Sequence, residues 1–335
     1  MLSICIPTYR RKDTLRELLA SLAGEDLSEV EICISDNASN DGTRELVAEW
    51  GPKLGRVVFH EWPENVGYDR NLLKVVEIAT QDYCWLFGSD DLIAPGGIAR
   101  ILADLHATKP TGMLVGYLGF KTSVPVVPDH LQTTGSAAKE LRGKPLFRAS
   151  PDFGFLSRQI FRRDCVENAL ADGKWESCIG GGYIHFYLVV KIAFGQSEPV
   201  WYRDDRPMFF YRSASFGDQV AYFGSVHRRL MNEIHEVNRV FSLACSQNIA
   251  KEVLTRGAWR DLSRNLAMWK LSQPTAETAR EMRAAMRQIP LKSALDYYCL
   301  VAITFIPSAG IRAARAVVRF ALNLKSQWTG VPRPA

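Results

Sequence analysis

Over roughly the first 105 residues, short apolar runs alternate with amphipathic segments. Ile4–Ile6 is uniformly apolar and predicts a buried strand, while Asp13–Ala23 puts Leu15, Leu18, Leu19 and Leu22 on one helical face. The same alternation predicts strands over Val30–Ser35, Val57–Glu61, Tyr83–Phe87 and Met113–Phe120. Helices are predicted over Asp41–Trp50, with Asp41 or Thr43 suited to cap it, and over Tyr68–Ala79 and Gly96–His106. Strands separated by helices imply βαβ crossovers, hence an α/β fold with a mainly parallel sheet flanked by helices. Ligands of such sheets bind beyond the carboxyl ends of the strands, where Thr8 to Arg10, Asp36 and Ser89 to Asp91 fall.

Past residue 120 the periodicity fades. Lys121–Ser150 is richer in Pro, Ser and Thr and predicts a long loop. A helix is expected over Gly181–Phe194, then a strand pair at Pro199–Trp201 and Met208–Tyr211, and the pattern from Ser225 to Leu324 is almost wholly helical. The chain therefore divides into a sheet domain over 1–215 and an α-helical C-terminal region over 216–335.

Composition narrows the classes. At 335 residues and 47% hydrophobic the chain can bury a large core. A net charge of +5 is too small to argue for nucleic acid without a local basic patch, although it suits nucleotide diphosphates or anionic lipid. Seven scattered cysteines, with no C-x-x-C pair, predict buried reduced thiols in a cytoplasmic protein. A strand beginning at Leu2 leaves no place for a secretory leader, and no apolar run reaches the about 18 residues of a spanning helix.

Three segments carry polar chemistry. Trp85-Leu86-Phe87-Gly88 delivers Ser89-Asp90-Asp91 from a buried strand onto a turn. Two adjacent carboxylates there are costly unless solvated, paired or bound to a cation. A hard divalent ion shared with a substrate diphosphate would remove the cost, and a solvated Asp-Asp turn is the plain alternative. Ser35-Asp36-Asn37-Ala38-Ser39-Asn40-Asp41-Gly42-Thr43 also follows a strand; its first acid can accept from a nucleobase N–H, or the segment is simply a polar loop and cap. Asn65-Val66-Gly67-Tyr68-Asp69-Arg70-Asn71 opens a helix, where Arg70 meets either phosphate or a surface partner.

Together with Ile4-Cys5-Ile6-Pro7-Thr8-Tyr9-Arg10, these segments in this order resemble the inverting family 2 glycosyltransferases, which have the Rossmann-like GT-A fold. The resemblance is strong over about residues 1–110 and weaker over 150–212. It implies that Pro7, Thr8 and Arg10 line a nucleotide pocket and that Asp36, followed by Asn37, reads the base. It further implies that Asp90 faces the donor ribose or sugar, that Asp91 coordinates Mn²⁺ or Mg²⁺, that Arg70 lies near the diphosphate or supports the loop carrying Asp90, and that Arg212 meets the diphosphate, a rim salt bridge being its plain alternative. The family's acidic triplet is usually Asp-x-Asp or Asp-Asp-Asp, whereas its first position here is Ser89.

A general base is commonly supplied in that family by an acid of a Glu-Asp pair at a helix start. No such pair is present, which leaves His185 and Glu176, on either side of Gly180-Gly181-Gly182, as catalytic candidates. Trp175, Trp201 and Tyr202 either stack on acceptor sugars or belong to the core. The activity implied is transfer of a sugar from a nucleotide-sugar donor to an acceptor hydroxyl, on a saccharide or lipid-linked saccharide of the O-antigen or capsule type. The Asn-x-Gly…Gly-x-Asp-Asp spacing also resembles transferases of dideoxyhexoses, and UDP, dTDP, CDP and GDP donors all stay open. A nucleotidyltransferase would carry a Gly-rich phosphate loop, which Ile6–Lys12 lacks; a degenerate domain that binds sugars or partners is the remaining alternative. Finally, Ile311–Leu324 sets Arg312, Arg315 and Arg319 opposite Val317, Val318, Phe320 and Leu324, beside the apolar Tyr297–Ile306. That pattern suits peripheral contact with the inner face of the plasma membrane, or packing on the catalytic domain or in a homo-oligomer.

Overall fold

A computed structural model describes residues 1–141, 154–194, 199–213, 226–245 and 275–287, with single positions 266, 305 and 310. Its first strands are β1 (Leu2–Thr8), β2 (Val30–Asp36), β3 (Arg56–Glu61) and β4 (Tyr83–Leu86), alternating with helices α1 (Lys12–Leu22), α2 (Thr43–Leu54) and α3 (Tyr68–Glu77). After β5 (Leu92–Ile93) come α4 (Gly97–Thr108), β6 (Gly112–Phe120), β7 (Lys139–Leu141) and β8 (Gln159–Arg162). The rest comprises α5 (Asp164–Leu170), α6 (Ile184–Phe194), β9 (Trp201–Arg212), α7 (Val226–Ala244) and α8 (Ala276–Met286).

The sheet runs β3-β2-β1-β4-β8-β6-β9-β5, with β7 paired to β9. Its β3-β2-β1-β4 half is parallel, as the strand–helix alternation requires. The other half is mixed: β6 and β9 run parallel, whereas β4–β8, β6–β8, β5–β9 and β7–β9 are antiparallel.

Every residue of β1 is buried because helices cover both faces. Leu2, Ile4 and Ile6 point into a core with Leu15, Leu18, Leu19 and Leu22 of α1 and Ile98, Ile101 and Leu105 of α4. The alternate positions face α3, which packs on β1 and β2. There the hydroxyl of Ser3 donates to Glu31 (2.9 Å), and that of Ser35 donates to Asn71 on α3 (2.7 Å). The six described cysteines are free, and all but Cys245 are buried; Cys299 lies outside the described residues.

Two expectations are corrected. The segment expected as a loop from 121 carries a short 3₁₀ turn at Asp129–Leu131 and the strand β7, whose backbone pairs with Trp201 to Arg203. The expected strand pair at 199–211 is one strand, β9, whose polar middle is buried because Asp204 and Arg206 satisfy one another (Nε to Oδ2, 2.8 Å). A register shift at Val115–Gly116 accommodates that middle, and a Cβ at Gly116 would lie 2.4 Å from the Asp205 carbonyl oxygen. Trp201 is core, fully buried, with its indole against Gly112.

The chain separates into two compact units, one of Met1–Ala214 with Arg239–Ile249, the other of Ser215–Asn238 with Ala250–Ala335. Among the described residues of the second unit, α8 is capped by Thr275, whose hydroxyl accepts from the Thr278 N–H (3.2 Å). No helix among the described residues is long and apolar enough to cross a membrane. The amphipathic stretch Ile311–Leu324 and most of Tyr297–Ile306 lie outside the described residues.

Candidate active site

Parallel strands end at one edge, so the residues following β1, β2 and β4 collect there. After β1, Thr8 is buried and its hydroxyl has no hydrogen-bond partner, while Tyr9 and Arg10 are exposed. Arg10 adopts φ 51°, held there by its N–H donating to the Ser39 hydroxyl (2.7 Å), and its guanidinium lies 5.1 Å over the Tyr9 ring. The loop after β2 stores similar strain at Ala38 (φ 58°) and Asn40 (φ 52°). Non-glycine residues in this region are held by surrounding bonds, here chiefly those of Asp36.

Asp36 is buried and accepts from both the backbone N–H (3.2 Å) and the hydroxyl of Ser39. Burial pushes its carboxyl above the ordinary range, with the Ser39 bonds opposing the shift. Asn37 clamps the next loop: its amide donates to Asn65 (2.9 Å) and its oxygen accepts from the Val66 N–H (2.8 Å). Both Asn37 and Pro7 are buried in the wall of the site. Arg70 is exposed on α3 and makes no ion pair among the described residues. Its neighbour Asp69 is buried instead, accepting from the N–H groups of Gly180 (2.8 Å), Gly182 (3.0 Å) and Ile184 (3.1 Å). That one carboxylate anchors the triple-glycine turn and the start of α6.

The acid turn follows β4. Asp91 is buried; Ser157 donates its hydroxyl to Oδ2 (2.5 Å), and the backbone N–H of Arg212 donates to Oδ1 (3.0 Å). Burial first, and the Asp90 charge second, raise Asp91 to about 7. Asp90 points outward, half-exposed, and pairs with Arg11. Both carboxylates converge over Gly88: a Cβ at Gly88 would lie 3.1 Å from Asp90 Oδ1 and 3.2 Å from Asp91 Oδ2. Arg212 bolts the turn to β9, its Nε donating to the Asp90 carbonyl (2.9 Å) while its terminal nitrogen pairs with Glu17.

Each Asp91 oxygen thus has one donor within the protein and keeps a further lone pair. The Arg212 guanidinium is engaged within the protein through Nε and one terminal nitrogen. No cage of three or more His, Cys, Asp or Glu side chains exists among the described residues. The donor set nevertheless fits a hard divalent cation held by one or two carboxylates plus substrate phosphates, the usual mode for Mg²⁺.

The catalytic candidates lie on the stretch anchored by Asp69. His185 is buried, its Nε2 facing the Gly154 carbonyl (3.1 Å) and its Nδ1 facing the Tyr68 hydroxyl (3.2 Å). A carbonyl only accepts, so Nε2 carries the proton and Nδ1 accepts from Tyr68. Burial lowers the imidazole below its ordinary value, which keeps it neutral. Both ring nitrogens are thus occupied, contrary to what a free base needs. Glu176 is exposed on the 3₁₀ turn Lys174–Cys178.

Residues 3–166 match the model of glycosyl transferase family 2. This segment, close to half of the chain, belongs to that family. Abequosyltransferase RfbV of Salmonella typhimurium (strain LT2) is 45% identical over 102 residues, which are 30% of this chain and 31% of that protein. The chain therefore spans about a third of the length of that curated relative. Among solved structures, S. aureus TarS 1-349 superposes with a TM-score of 0.62 at 15% identity, covering 96% of this chain and 91% of that one. The mannosyltransferase PcManGT from Pyrobaculum calidifontis, in complex with GDP-Man and Mn²⁺, gives 0.54 at 17% identity, covering 94% and 86%. At these identities the structures establish the GT-A fold.

Sequence reasoning missed Ser157, Asp69 and Arg11. Ser157 lies 66 positions from Asp91 in an unremarkable segment, so no sequence pattern marked it. Asp69 stood inside a family motif, where its basic neighbour Arg70 drew the attention.

Proposed function

We propose that this chain transfers a sugar from a nucleotide-diphosphate-sugar to an acceptor hydroxyl with inversion, the acceptor being a saccharide or lipid-linked saccharide. The observation that carries the reading is the acid turn: an outward Asp90 beside a buried, doubly bonded Asp91 at the end of β4, in a family 2 segment. Thr8, Asp36 and Asn37 form the nucleoside side of the pocket, where the buried Thr8 hydroxyl has no partner within the protein. Asp90 is the carboxylate that would hold a divalent cation with the diphosphate, and Asp91 positions it from behind. When bound, Mn²⁺ or Mg²⁺ neutralises charge on the departing nucleoside diphosphate. Arg11 holds Asp90 in the protein alone and lies ready to meet the diphosphate.

The acceptor proton needs a base with a free lone pair. Glu176 meets that condition and His185 is a positioning residue that ties α6 to the Gly154 backbone. Glu176→Gln is expected to lower turnover at saturating donor more than His185→Gln does; the reverse order would return the role to His185. The similarity to an abequosyltransferase, a transferase of a dideoxyhexose by its name, supports a deoxyhexosyl donor. Thermal denaturation with UDP, dTDP, CDP and GDP, each with and without Mn²⁺, tests the whole reading. At least one should raise the melting temperature in a metal-dependent way by mass action. No shift with any of them overturns it.

A further inference from the structure

The core aromatic residues Trp85, Phe87 and Phe209 are fully buried and pack edge to face, with centroids 4.7–6.3 Å apart. This stack does not stop at the core. Tyr117 lies 5.5 Å from Phe209 at an interplanar angle of 26°, and Phe155 and Tyr211 close around it at 5.0 and 5.9 Å. Phe155 and Tyr211 meet each other at 4.6 Å, nearly perpendicular. Five residues of β6 before Tyr117 are buried, yet Tyr117 itself is 38% exposed, and Phe155 and Tyr211 are half-buried. An aromatic wall therefore runs from the core to the surface.

Its position is set by the acid turn. Tyr211 immediately precedes Arg212, whose N–H donates to Asp91, and Phe155 stands two positions before Ser157, whose hydroxyl donates to the same carboxylate. The segment carrying Phe155 is held again by the His185 bond to Gly154. The wall and the acid turn thus share the same short backbone segments. An aromatic surface pre-organised by ring–ring contacts, with the Arg158 guanidinium 5.4 Å from the Tyr117 ring centroid, suits the apolar C–H edges of a pyranose and its hydroxyls.

We propose that Tyr117, Phe155 and Tyr211 form the subsite for a pyranose ring of the acceptor, a deepening that rests on the transferase reading above. Trp201, for which acceptor stacking and core packing were both open, is core.

Saturation-transfer NMR with methyl α-glucopyranoside, α-galactopyranoside, α-mannopyranoside and α-rhamnopyranoside tests it, with the UDP, dTDP, CDP and GDP melting-temperature shifts measured in parallel. The wild-type protein should transfer saturation to the ring protons of at least one pyranoside. Tyr117→Ala should weaken that signal by about fivefold or more, Tyr117→Phe should retain it, and the nucleotide shift should persist in both. Tyr117→Leu, which keeps bulk without a ring, carries the same test if the alanine variant does not fold. An unchanged signal in the alanine or leucine variant overturns the subsite. So does the absence of any pyranoside signal from a wild-type protein that still responds to nucleotide, and that outcome leaves the donor reading standing. Loss of both responses removes the transferase reading and the subsite with it.

Discussion

Two pairs of acids in this sheet domain have opposite fates. Asp104 on α4 and Asp204 on β9 are both buried, and their surroundings close over them. Asp104 accepts from the N–H groups of Ala137 (2.9 Å) and Ala138 (3.2 Å), while Asp204 is gripped by the backbone N–H and Nε of Arg206, each at 2.8 Å. Arg206 in turn donates to the carbonyls of Thr133 (2.8 Å) and Gly135 (3.0 Å). Asp90 and Asp91 form the other pair, in which one acid is buried and the other is left facing water with a single exposed arginine. Burial raises an acid in each pair, to about 6 for Asp104 and about 7 for Asp91. A shifted carboxyl by itself therefore does not mark an active site. What separates the pairs is exposure: the inner network lies wholly inside the fold and straps the 133–138 segment to β9, whereas the edge pair keeps one carboxylate at the surface.

That contrast can be broken most forcefully at Arg206. Arg206→Ala leaves two buried acids without their cation and should cost about 3–5 kcal/mol of stability, read by urea denaturation. Melting-temperature shifts with nucleoside diphosphate should survive wherever the variant stays folded. A loss below about 1 kcal/mol, the range of exposed surface pairs, would mean the inner network is not structural.

Asp90→Asn should do the reverse. Loss of a metal-holding carboxylate should lower transfer by about a hundredfold or more while leaving the urea midpoint close to wild type. Equal activity would place the metal-holding carboxylate elsewhere.

The gentlest probe is pH. Asp104 keeps its proton in the folded state up to about 6, above its unfolded value, so this group's stabilising effect is full at low pH and is lost as pH rises. Between about pH 4 and about pH 6 the wild-type protein should lose up to about 1.4 kcal/mol per pH unit from this site relative to Asp104→Asn. Parallel stability profiles for the two proteins would show that Asp104 is ionised throughout.

How much of this was legible in the residues can be judged from particular places. The β1–β4 half was plain because period and composition speak locally: Leu2, Ile4 and Ile6 alternate with Ser3 and Cys5, and α1 shows its stripe of leucines. The antiparallel β8 and the two-residue β5 were not, since four and two residues carry no usable period. In the site, the acid turn and the Asp36 loop were visible as motifs. The division of labour within Asp90-Asp91 was not, because adjacent residues on a turn point in different directions according to what packs behind them. His185 looked like a base for its place after the glycines; its partners Tyr68 and Gly154 come from segments 117 and 31 positions away.

The sequence by itself determined the alternation that makes a parallel α/β half, the polar strand ends that make its edge a binding edge, and the membership of residues 3–166 in glycosyl transferase family 2. These are local properties, set by side-chain period and by which residues tolerate turns. Only the tertiary structure decided which acid faces out, that both ring nitrogens of His185 find partners, and that Tyr117, Phe155 and Tyr211 meet at one wall. Those outcomes depend on contacts between segments far apart in the chain, and a carboxylate or a ring acquires its role from the partners such contacts bring to it.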